Sequence, residues 1–530
     1  MSLSHWIIST ITLLAGGGGR PRFKRKAKAP LTLTKSPVEE LLEIGQELPD
    51  PIQQRRLGAA YQPPTVTFLM ELRRRHLYGT GTVGSGKTSF ALQLMDHDIA
   101  VAMEGAERGV GCMDPEGDLI DRVLRRLCGR YREDQLVSKI VLIDFRQHHA
   151  WAQTVPHCVG WNPLRDTGTD PSAAALFCYD CFDDVYEIGP ASGELLRYTL
   201  LALAHSTSVG KEKIGTLLDI EPFLLDAHFR QEVLATITDP SLLRFFRTRF
   251  TSLIESPTMV SAILNKVSPL TSLTAVRRHL GMRQGTLPLR SLLTKPGTIL
   301  LCALASNEIG DKGASLIGRL LIQSIARSFI RSDRLLSDIQ DDTSASFFLT
   351  LDEFALFQGS HSLVTDIAGQ GRRYGLHLLA LHQSAAQLDS KTRSILRNAT
   401  GSQIYFACGG GDADTLASEL PAPNGESKAI LRHWLITQKP GEAIFAEGGR
   451  PIRRIQCHYS PDPKVDKALV AAVRQKALEH FGRPVADVEA EIAAHESRSI
   501  PPQTQVSPVV RKRRSNASSN AIEIIEVDEP

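Results

Sequence analysis

Short apolar runs that end on an acidic residue alternate with amphipathic helical patterns in this chain. The run 109–113 ends at Asp114, a helical pattern follows at 119–127, and the next apolar run, 140–145, contains Asp144 near its end. Strand, turn, helix and strand in this order are typical of a parallel sheet with helices on its faces. Because parallel strands end at the same edge of a sheet, we expect both aspartates to lie there.

The same alternation returns in the second half of the chain. Between the two halves, helical periodicity over about residues 173–280 predicts an all-α unit inserted into the sheet-forming part. Later strands are predicted at 298–304, 347–351, 376–381, 403–407, 443–445 and 452–457, with helices at 316–329, about 361–369 and from about 392. Nearer the N-terminus, 37–47 is predicted as a short amphipathic helix and 66–70 as a strand. The predicted fold class is therefore α/β.

The octet Gly81-Thr82-Val83-Gly84-Ser85-Gly86-Lys87-Thr88 is a complete phosphate-binding loop, the Walker A motif. Such a loop points consecutive backbone N–H groups at phosphates, while Lys87 reaches the β and γ oxygens and Thr88 offers a hydroxyl to Mg²⁺. Ser89 begins the helix whose N-terminus faces the phosphates. We therefore expect residues 81–89 to bind a nucleoside triphosphate.

A second pattern overlaps this loop. Gly79, Gly81 and Gly84 also match the G-x-G-x-x-G spacing of dinucleotide-binding folds, which place an acidic residue about 20 residues downstream. Acidic residues do follow in that region, but the dinucleotide interpretation gives no reason for Lys87 and Thr88. The triphosphate interpretation is therefore favoured.

Composition narrows the class of protein only modestly. The 530 residues are 42% hydrophobic, enough for a large core, and a net charge of +3 neither requires nor excludes a nucleic-acid partner. Cations are concentrated in 20–28 and 511–514, runs that are typical of solvated tails and that also attract polyanions. Eight cysteines form no dense framework, which favours a reducing compartment.

The apolar run 347–351 is closed by Asp352 and Glu353. P-loop enzymes use such a pair to complete their site: Asp352 would hold Mg²⁺, and Glu353 would polarise the water that attacks the γ-phosphate. An apolar strand that ends in Asp-Glu is common by itself. The prediction therefore depends on the presence of the upstream loop.

Three further residues follow in the next segment. Gln383 comes just after a predicted strand and would sense the γ-phosphate, while Arg372 or Arg373 would reach the nucleotide of a neighbouring subunit as an arginine finger. Spacing alone is weak support for these roles, and a helix-capping glutamine and surface arginines are the alternative interpretations.

Several motifs occur in a fixed order over about residues 70–460. They are the loop 81–88, Met113-Asp114-Pro115-Glu116-Gly117-Asp118-Leu119, Trp161-Asn162-Pro163-Leu164, Leu351-Asp352-Glu353-Phe354, Gly371-Arg372-Arg373-Tyr374-Gly375-Leu376 and Leu381-His382-Gln383-Ser384. This ordered set resembles the HerA/FtsK superfamily of P-loop ATPases and, within it, the TraG/TraD-like coupling proteins of conjugative type IV secretion. The resemblance implies a RecA-like motor domain with an inserted all-α domain, assembled as a hexameric ring that moves DNA with ATP.

The resemblance also assigns roles and partners. It gives nucleotide contact to Gly86, Lys87 and Thr88, Mg²⁺ and catalysis to Asp352 and Glu353, γ-phosphate sensing to Gln383, and the arginine in trans to Arg372 or Arg373. The helical insert would face the DNA entrance or the relaxosome, and secretion-channel proteins are further expected partners. DNA would be contacted mainly through its backbone.

The predicted division of the chain follows from these assignments. It is a basic flexible N-terminal arm at 1–36, the first part of a P-loop ATPase domain at 37–164, the all-α insert at 165–290, the second part of the ATPase domain at 291–460, a C-terminal helix at 461–495 and a disordered tail at 496–530. Coupling proteins usually carry two N-terminal membrane-spanning helices, whereas the apolar run 6–15 is about half of the roughly 20 residues that a spanning helix needs. We therefore expect a cytoplasmic protein that a partner could recruit to the inner face of the membrane, and contact of this run with a membrane stays open.

The sequence leaves three functions open. The first is an ATP-hydrolysing DNA translocase, or coupling protein, of conjugative transfer. The second is a nucleotide-binding adaptor that recruits nucleoprotein or protein substrates to a secretion gate. The third is a P-loop ATPase that remodels proteins, which DNA-independent turnover would favour. Glu353 argues against a pure adaptor, because binding alone needs no carboxylate at that position.

Overall fold

The computed structural model describes residues 41–48, 55, 62–106, 108–147, 156–165, 170–206, 215–330, 346–358, 367, 371–422, 427–448 and 450–499. The predictions for the N-terminal arm, for the helix near 361–369 and for most of the C-terminal tail lie outside these residues.

A sheet of eleven strands forms the centre of the described part of the chain. In chain order the strands are β1 Leu41–Glu47, β2 Thr65–Leu69, β3 Leu77–Thr80, β4 Arg108–Asp114, β5 Ile140–Asp144, β6 His157–Cys158, β7 Ile299–Ala303, β8 Ser346–Leu351, β9 Leu376–His382, β10 Ser402–Tyr405, β11 Glu442–Glu447, β12 Arg453–Cys457 and β13 Arg483–Pro484. The order in the large sheet is β2-β1-β12-β11-β10-β3-β9-β8-β4-β7-β5, and β6 pairs separately with β13.

The seven strands from β10 to β5 in this order run parallel to one another. Every residue of β4, β5, β7 and β9 is buried. Strands that are covered on both faces read as continuous apolar runs, and this is why the sequence pattern located them within a residue or two. The predicted α/β class is confirmed.

The strand order decides where the functional residues meet. Strand β9 lies between β3, which leads into the phosphate-binding loop, and β8, which leads to Asp352. Thr80 at the end of β3 pairs with His382 at the end of β9, and Leu351 at the end of β8 pairs with Ala380. The segments that follow these three strands therefore leave the same edge of the sheet side by side.

The predicted helix at 37–47 is wrong, because Leu41–Glu47 is strand β1. It belongs to an antiparallel extension of the sheet formed by β11, β12, β1 and β2. Gly45 pairs with Cys457, and a Cβ at Gly45 would lie 2.2 Å from the backbone oxygen of Gln456. Close approach of the two backbones thus excludes a side chain at this position. The pairing strand lies far away in the sequence, so local periodicity does not detect it.

Helices cover the sheet and fill the interval between β6 and β7. In the described residues they are α1 Met70–Arg73, α2 Lys87–Met103, α3 Asp118–Arg130, α4 Glu133–Leu136, α5 Pro171–Tyr186, α6 Pro190–His205, α7 Ile220–Leu225, α8 Ala227–Ala235, α9 Pro240–Thr248, α10 Phe250–Ile254, α11 Pro257–Thr271, α12 Thr274–Leu280, α13 Leu289–Leu293, α14 Ser306–Ile309, α15 Asp311–Ile330, α16 Ser390–Ala399, α17 Gly410–Glu419, α18 Lys428–Thr437, α19 Lys467–Phe481 and α20 Val485–Ser499. Short 3-10 turns lie at Leu217–Asp219, Phe354–Phe357, Gly371–Tyr374 and Ala385–Gln387.

Helices α5 to α13 follow one another where the sequence predicted a helical unit, and the exact domain boundaries stay a prediction. One continuous apolar core runs from the sheet into these helices, through buried residues such as Leu301, Phe329, Phe182 and Phe223. Burial of one such side chain contributes about 1.5–3 kcal/mol. None of the helices within the described ranges is long and apolar enough to cross a membrane.

The single C-terminal helix predicted at 461–495 is also wrong, because the structure has two helices, α19 and α20. The break is at Gly482, where a Cβ would lie 2.6 Å from the backbone oxygen of Cys158. Pro484 lies two residues on, in the short strand that pairs with His157. A proline has no N–H for a helical hydrogen bond, so the chain turns here and starts a new helix.

Candidate nucleotide-binding site

The phosphate-binding loop joins β3 to α2 in a conformation that requires glycine. Gly86 precedes the first residue of α2 and has φ +117°, and a Cβ there would lie 2.9 Å from the backbone nitrogen of Gly441. Gly84 also has a positive φ, +75°. Side chains at these positions would be strained, so the loop conformation depends on glycine at both.

Hydrogen bonds to neighbouring strands hold the loop in place. Thr82 donates from its backbone N–H and from its hydroxyl to the oxygen of Ala407, at 2.8 and 3.1 Å. The hydroxyl of Ser85 donates to the oxygen of Thr82 at 2.7 Å, and the oxygen of Ser85 accepts from the N–H of Gly441 at 2.8 Å. The loop is thus preorganised by contacts on both of its sides.

Lys87 places its ammonium group inside the curve of the loop. Its Nζ donates to the backbone oxygens of Gly81 at 2.6 Å and of Thr82 at 3.0 Å. Burial lowers the pKa of Lys87, while the negative charges of Asp352 and Glu353 raise it. The lysine and the two carboxylates, which are far apart in sequence, therefore act on one another within one site.

Asp352 follows β8 directly, and its backbone N–H donates to the oxygen of Met113 at 3.0 Å. Burial and the nearby charge of Asp114 together raise the pKa of the Asp352 carboxyl to about 7, against the opposing charge of Lys87. A carboxylate in this position gains from a nearby cation, since a positive charge favours the ionised form.

The oxygen atoms at this point suit Mg²⁺. Thr88 and Asp352 line the same cleft as Lys87, and hydroxyl and carboxylate oxygens are ligands that Mg²⁺ prefers. Across the described ranges, no group of three or more His, Cys, Asp and Glu side chains could hold a metal ion by itself. Mg²⁺ usually takes one or two carboxylates together with substrate phosphates, so the residues present fit Mg²⁺ that arrives with a nucleotide.

Glu353 has a left-handed backbone conformation, φ 58° and ψ 58°. A residue other than glycine in this region costs about 1–3 kcal/mol and persists only where its surroundings hold it. Burial raises the pKa of its carboxyl, while hydrogen bonds from Gln383 and Gln387 and the charge of Lys87 lower it. The backbone turn directs Glu353 into the cleft rather than along the strand.

These residues surround one cleft of about 840 Å³. Of the predicted site residues, those that line it are Val83, Gly84, Gly86, Lys87, Thr88, Ser89, Asp352, Glu353 and Gln383. Gly81, Thr82 and Ser85 form the base of the loop through the hydrogen bonds described above. The structure thus brings together residues that follow three neighbouring strands.

Arg372 and Arg373 are not part of this cluster. They belong to the turn Gly371–Tyr374, which precedes β9, whereas Gln383 follows β9. The seven residues of β9 span roughly 20 Å at about 3.3 Å per residue. The backbone of both arginines therefore lies at the opposite edge of the sheet from the cleft of the same chain.

Asp114 and Gln387 are among the cleft residues that received no role from the sequence. Asp114 was expected at this edge of the sheet and lies there, beside Asp352. Gln387 also lines the cleft, and its side chain contacts Glu353. The only sequence signal for Gln387 is its position four residues after Gln383. The turn between the two residues, which the structure shows, brings the Gln387 side chain back to Glu353.

Comparisons with known proteins agree with a P-loop α/β fold. No protein-family model matches the sequence, and no curated protein matches it either. Among solved structures, the unbound form of the bacterial conjugative coupling protein TrwBdeltaN70 is similar, with a TM-score of 0.52 and 16% identity over 82% of this chain and 97% of that one. TrwB in complex with the ATP analogue ADPNP gives 0.52 and 17%, and TrwB with ADP and Mg²⁺ gives 0.51 and 16%, both covering 82% of this chain and 98% of TrwB. The described chain has the RecA-like P-loop fold, as predicted.

Proposed function

We propose that this chain is an ATP-hydrolysing motor that moves DNA, a coupling protein of conjugative transfer. One observation supports the proposal that the chain hydrolyses ATP. Lys87, Asp352 and Glu353 come from two segments far apart in sequence and line the same cleft at the end of a parallel sheet. A site that only binds nucleotide has no need of a second carboxylate beside the one that meets Mg²⁺. The adaptor function is therefore the weaker alternative.

The proposed chemistry divides the work among these side chains. Lys87 and the loop N–H groups bind the β and γ phosphates and offset the charge that develops during transfer. Glu353 takes a proton from the attacking water, and Gln383 contacts the γ-phosphate region. Thr88 and Asp352 would hold Mg²⁺ that arrives with the nucleotide, and the ion would supply further charge neutralisation.

The DNA part of the proposal has separate support. The structures with the same fold described above are those of a plasmid coupling protein. In the helical interval, α9 and the residue after it expose Arg244, Arg247 and Arg249. Such cations suit the phosphates of a DNA backbone, and contacts of this kind weaken steeply with salt.

The ring assembly rests on the position of two arginines. The backbone of Arg372 and Arg373 lies at the edge of the sheet opposite the cleft of their own chain, so a role of either arginine at a nucleotide would require the site of another subunit. A homo-hexamer in which one subunit completes the site of the next meets this requirement. We propose relaxosome or secretion-channel proteins as further partners. They would recruit this chain to the inner face of the membrane.

The experiment is ATP hydrolysis by the purified chain with and without DNA, across a salt series. We expect DNA to stimulate turnover, and we expect the stimulation to fade as salt rises, because phosphate contacts release counterions. Turnover that ignores DNA at every salt concentration would contradict the DNA motor and favour a protein-remodelling ATPase. Nucleotide binding without any turnover would favour the adaptor.

A further inference from the structure

A glutamine that the proposed chemistry does not use lies beside the predicted catalytic carboxylate. Gln387 ends the short turn Ala385–Gln387, which follows β9 and Gln383. Its Nε2 donates a hydrogen bond to Oε1 of Glu353 at 3.1 Å. Gln387 therefore touches the group proposed to activate water, from a segment other than the one that carries Glu353.

The oxygen of the same amide holds the turn itself. Oε1 of Gln387 accepts hydrogen bonds from the backbone N–H groups of Gln383, at 3.2 Å, and of Ser384, at 2.8 Å. Backbone N–H groups can only donate, so the amide oxygen must face them and the NH₂ group must face Glu353. One side chain thus joins Glu353 to the backbone that carries Gln383.

Other contacts keep Gln387 from moving with respect to the sheet. The carboxylate of Asp412 in α17 accepts hydrogen bonds from the N–H groups of Ala385 and Ala386, at 3.1 and 3.2 Å. Nε2 of Gln358 donates to the backbone oxygen of Gln387 at 2.5 Å. The turn is held from both sides, so Gln387 offers its NH₂ group at a fixed place.

Glu353 needs such a support more than an ordinary strand-end residue does. Its left-handed backbone points the side chain into the cleft, but a glutamate retains several rotatable bonds that leave its carboxylate free to turn. A misplacement of about 1 Å in a catalytic group can cost roughly 100-fold in rate. A hydrogen bond to one carboxylate oxygen removes much of that freedom.

We infer that Gln387 is a positioning residue for ATP hydrolysis, which orients the carboxylate of Glu353 and links it to the turn that carries Gln383. This inference rests on the proposed function. It extends the site to a residue that acts through Glu353, and it predicts that an uncharged substitution affects turnover without an effect on binding.

The test uses the full chain with Gln387→Glu. A carboxylate at this position still accepts from the N–H groups of Gln383 and Ser384, but it offers no hydrogen to Glu353. We expect kcat to fall about 10- to 100-fold. The added negative charge lies in the cleft and repels the phosphates of ATP, so the effect on binding is measured on an uncharged variant. Gln387→Met, which is uncharged and similar in size, also removes the acceptor of the Gln383 and Ser384 N–H groups and should lower kcat at least as much, while KM and the affinity for a fluorescent ATP analogue change less than about 2-fold. Thermal melting checks that both variants fold.

A matched control removes the same kind of contact elsewhere. Gln475 donates from Nε2 to Oε1 of Glu479 at 2.9 Å on the exposed surface of α19. Gln475→Glu therefore breaks a glutamine-to-glutamate hydrogen bond outside the cleft, and turnover should not change.

A double variant separates positioning from a general structural effect. If Gln387 acts through Glu353, adding Gln387→Glu to Glu353→Gln should cause no further loss of turnover. Unchanged or increased turnover in Gln387→Glu, or the same loss in both backgrounds, would overturn the positioning role while the proposed function stands. If the unaltered chain hydrolyses no ATP with or without DNA, the proposed function itself fails, and the positioning role fails with it.

Discussion

Oδ2 of Asp114 accepts a hydrogen bond from the backbone N–H of Leu119 at 2.7 Å, so the residue that ends β4 also caps the start of α3. Its other oxygen, Oδ1, accepts from the N–H of Glu116 at 3.0 Å. The side chain of Asp114 is therefore held in place near Asp352. It belongs to the frame of the cleft, which explains why it lies at the sheet edge without an assigned role in the chemistry.

Asp114→Ala should destabilise the folded chain by about 1–2 kcal/mol, because the N–H of Leu119 in the first turn of α3 and the N–H of Glu116 just before the helix lose their acceptor. Asp114→Asn retains one side-chain oxygen and should cost less. Thermal melting of the two variants beside the unaltered chain measures the difference. Equal losses in both variants would show that the capping contact is not what Asp114 contributes.

Lys87→Ala should abolish binding of ATP while leaving the fold intact. The ammonium group supplies charge-assisted hydrogen bonds to phosphate, and their loss should weaken affinity by at least about 100-fold, or about 2.7 kcal/mol. Titration with a fluorescent ATP analogue measures this directly. A Lys87→Ala chain that bound ATP normally would place the nucleotide somewhere other than the phosphate-binding loop.

Arg474 anchors the C-terminal pair of helices to the sheet. Its guanidinium donates to Asp144 at 2.8 Å and to Asp121 at 2.6 Å, and its side chain is only 4% exposed. Arg474→Ala should cost roughly 2–3 kcal/mol, below the upper range for a broken buried ion pair, because Arg146 still pairs with both carboxylates. Thermal melting and protease cleavage within α19 would report the loss. An unchanged melting temperature and cleavage rate would contradict the anchoring role.

The sequence located most of the sheet and the cleft because both depend on local signals. Continuous apolar runs marked the buried parallel strands, and the loop motif with Asp352 and Glu353 marked the site. Strand β1 was not predicted as a strand, because its pairing with β12 depends on residues at the other end of the chain. The pattern at 37–47 alone is compatible with a helix, and only the partner strand decides against it.

Gln387 was missed for a related reason. Its importance comes from the geometry of the turn after β9, where one amide meets Glu353 and two backbone N–H groups. No spacing rule relates a glutamine to a glutamate that lies on another strand. Conversely, the distance of the Arg372 and Arg373 backbone from the cleft of the same chain is a property of the sheet, and their role as arginine fingers stays a prediction.

The buried His382 should make stability depend on pH. Its Nε2 lies 2.6 Å from the hydroxyl of Tyr78, and burial lowers the pKa of His382 to about 4 from the ordinary 6.5. Between these values the unfolded chain binds more protons than the folded chain, so the stability that His382 contributes is present at neutral pH and falls as the pH drops. The loss between pH 7 and pH 5 should be about 2 kcal/mol.

His382→Gln isolates this contribution, because glutamine does not titrate. Melting temperatures of both chains between pH 7 and pH 5 should fall more steeply with histidine than with glutamine. If the melting temperatures of the two chains fell equally with pH, His382 would be readily protonated in the folded chain. That result would contradict the burial of His382 in the structure.

The central claim is that Glu353 activates the water that attacks ATP in the cleft formed with Lys87 and Asp352. The most direct measurement is ATP binding and steady-state ATP hydrolysis, in the presence of DNA, on the same preparations of the unaltered chain and of Glu353→Gln. We expect affinity within about 2-fold and turnover lower by about 100- to 10,000-fold, since the amide cannot accept the proton. Turnover that survives in Glu353→Gln would contradict the claim and assign the catalytic carboxylate elsewhere.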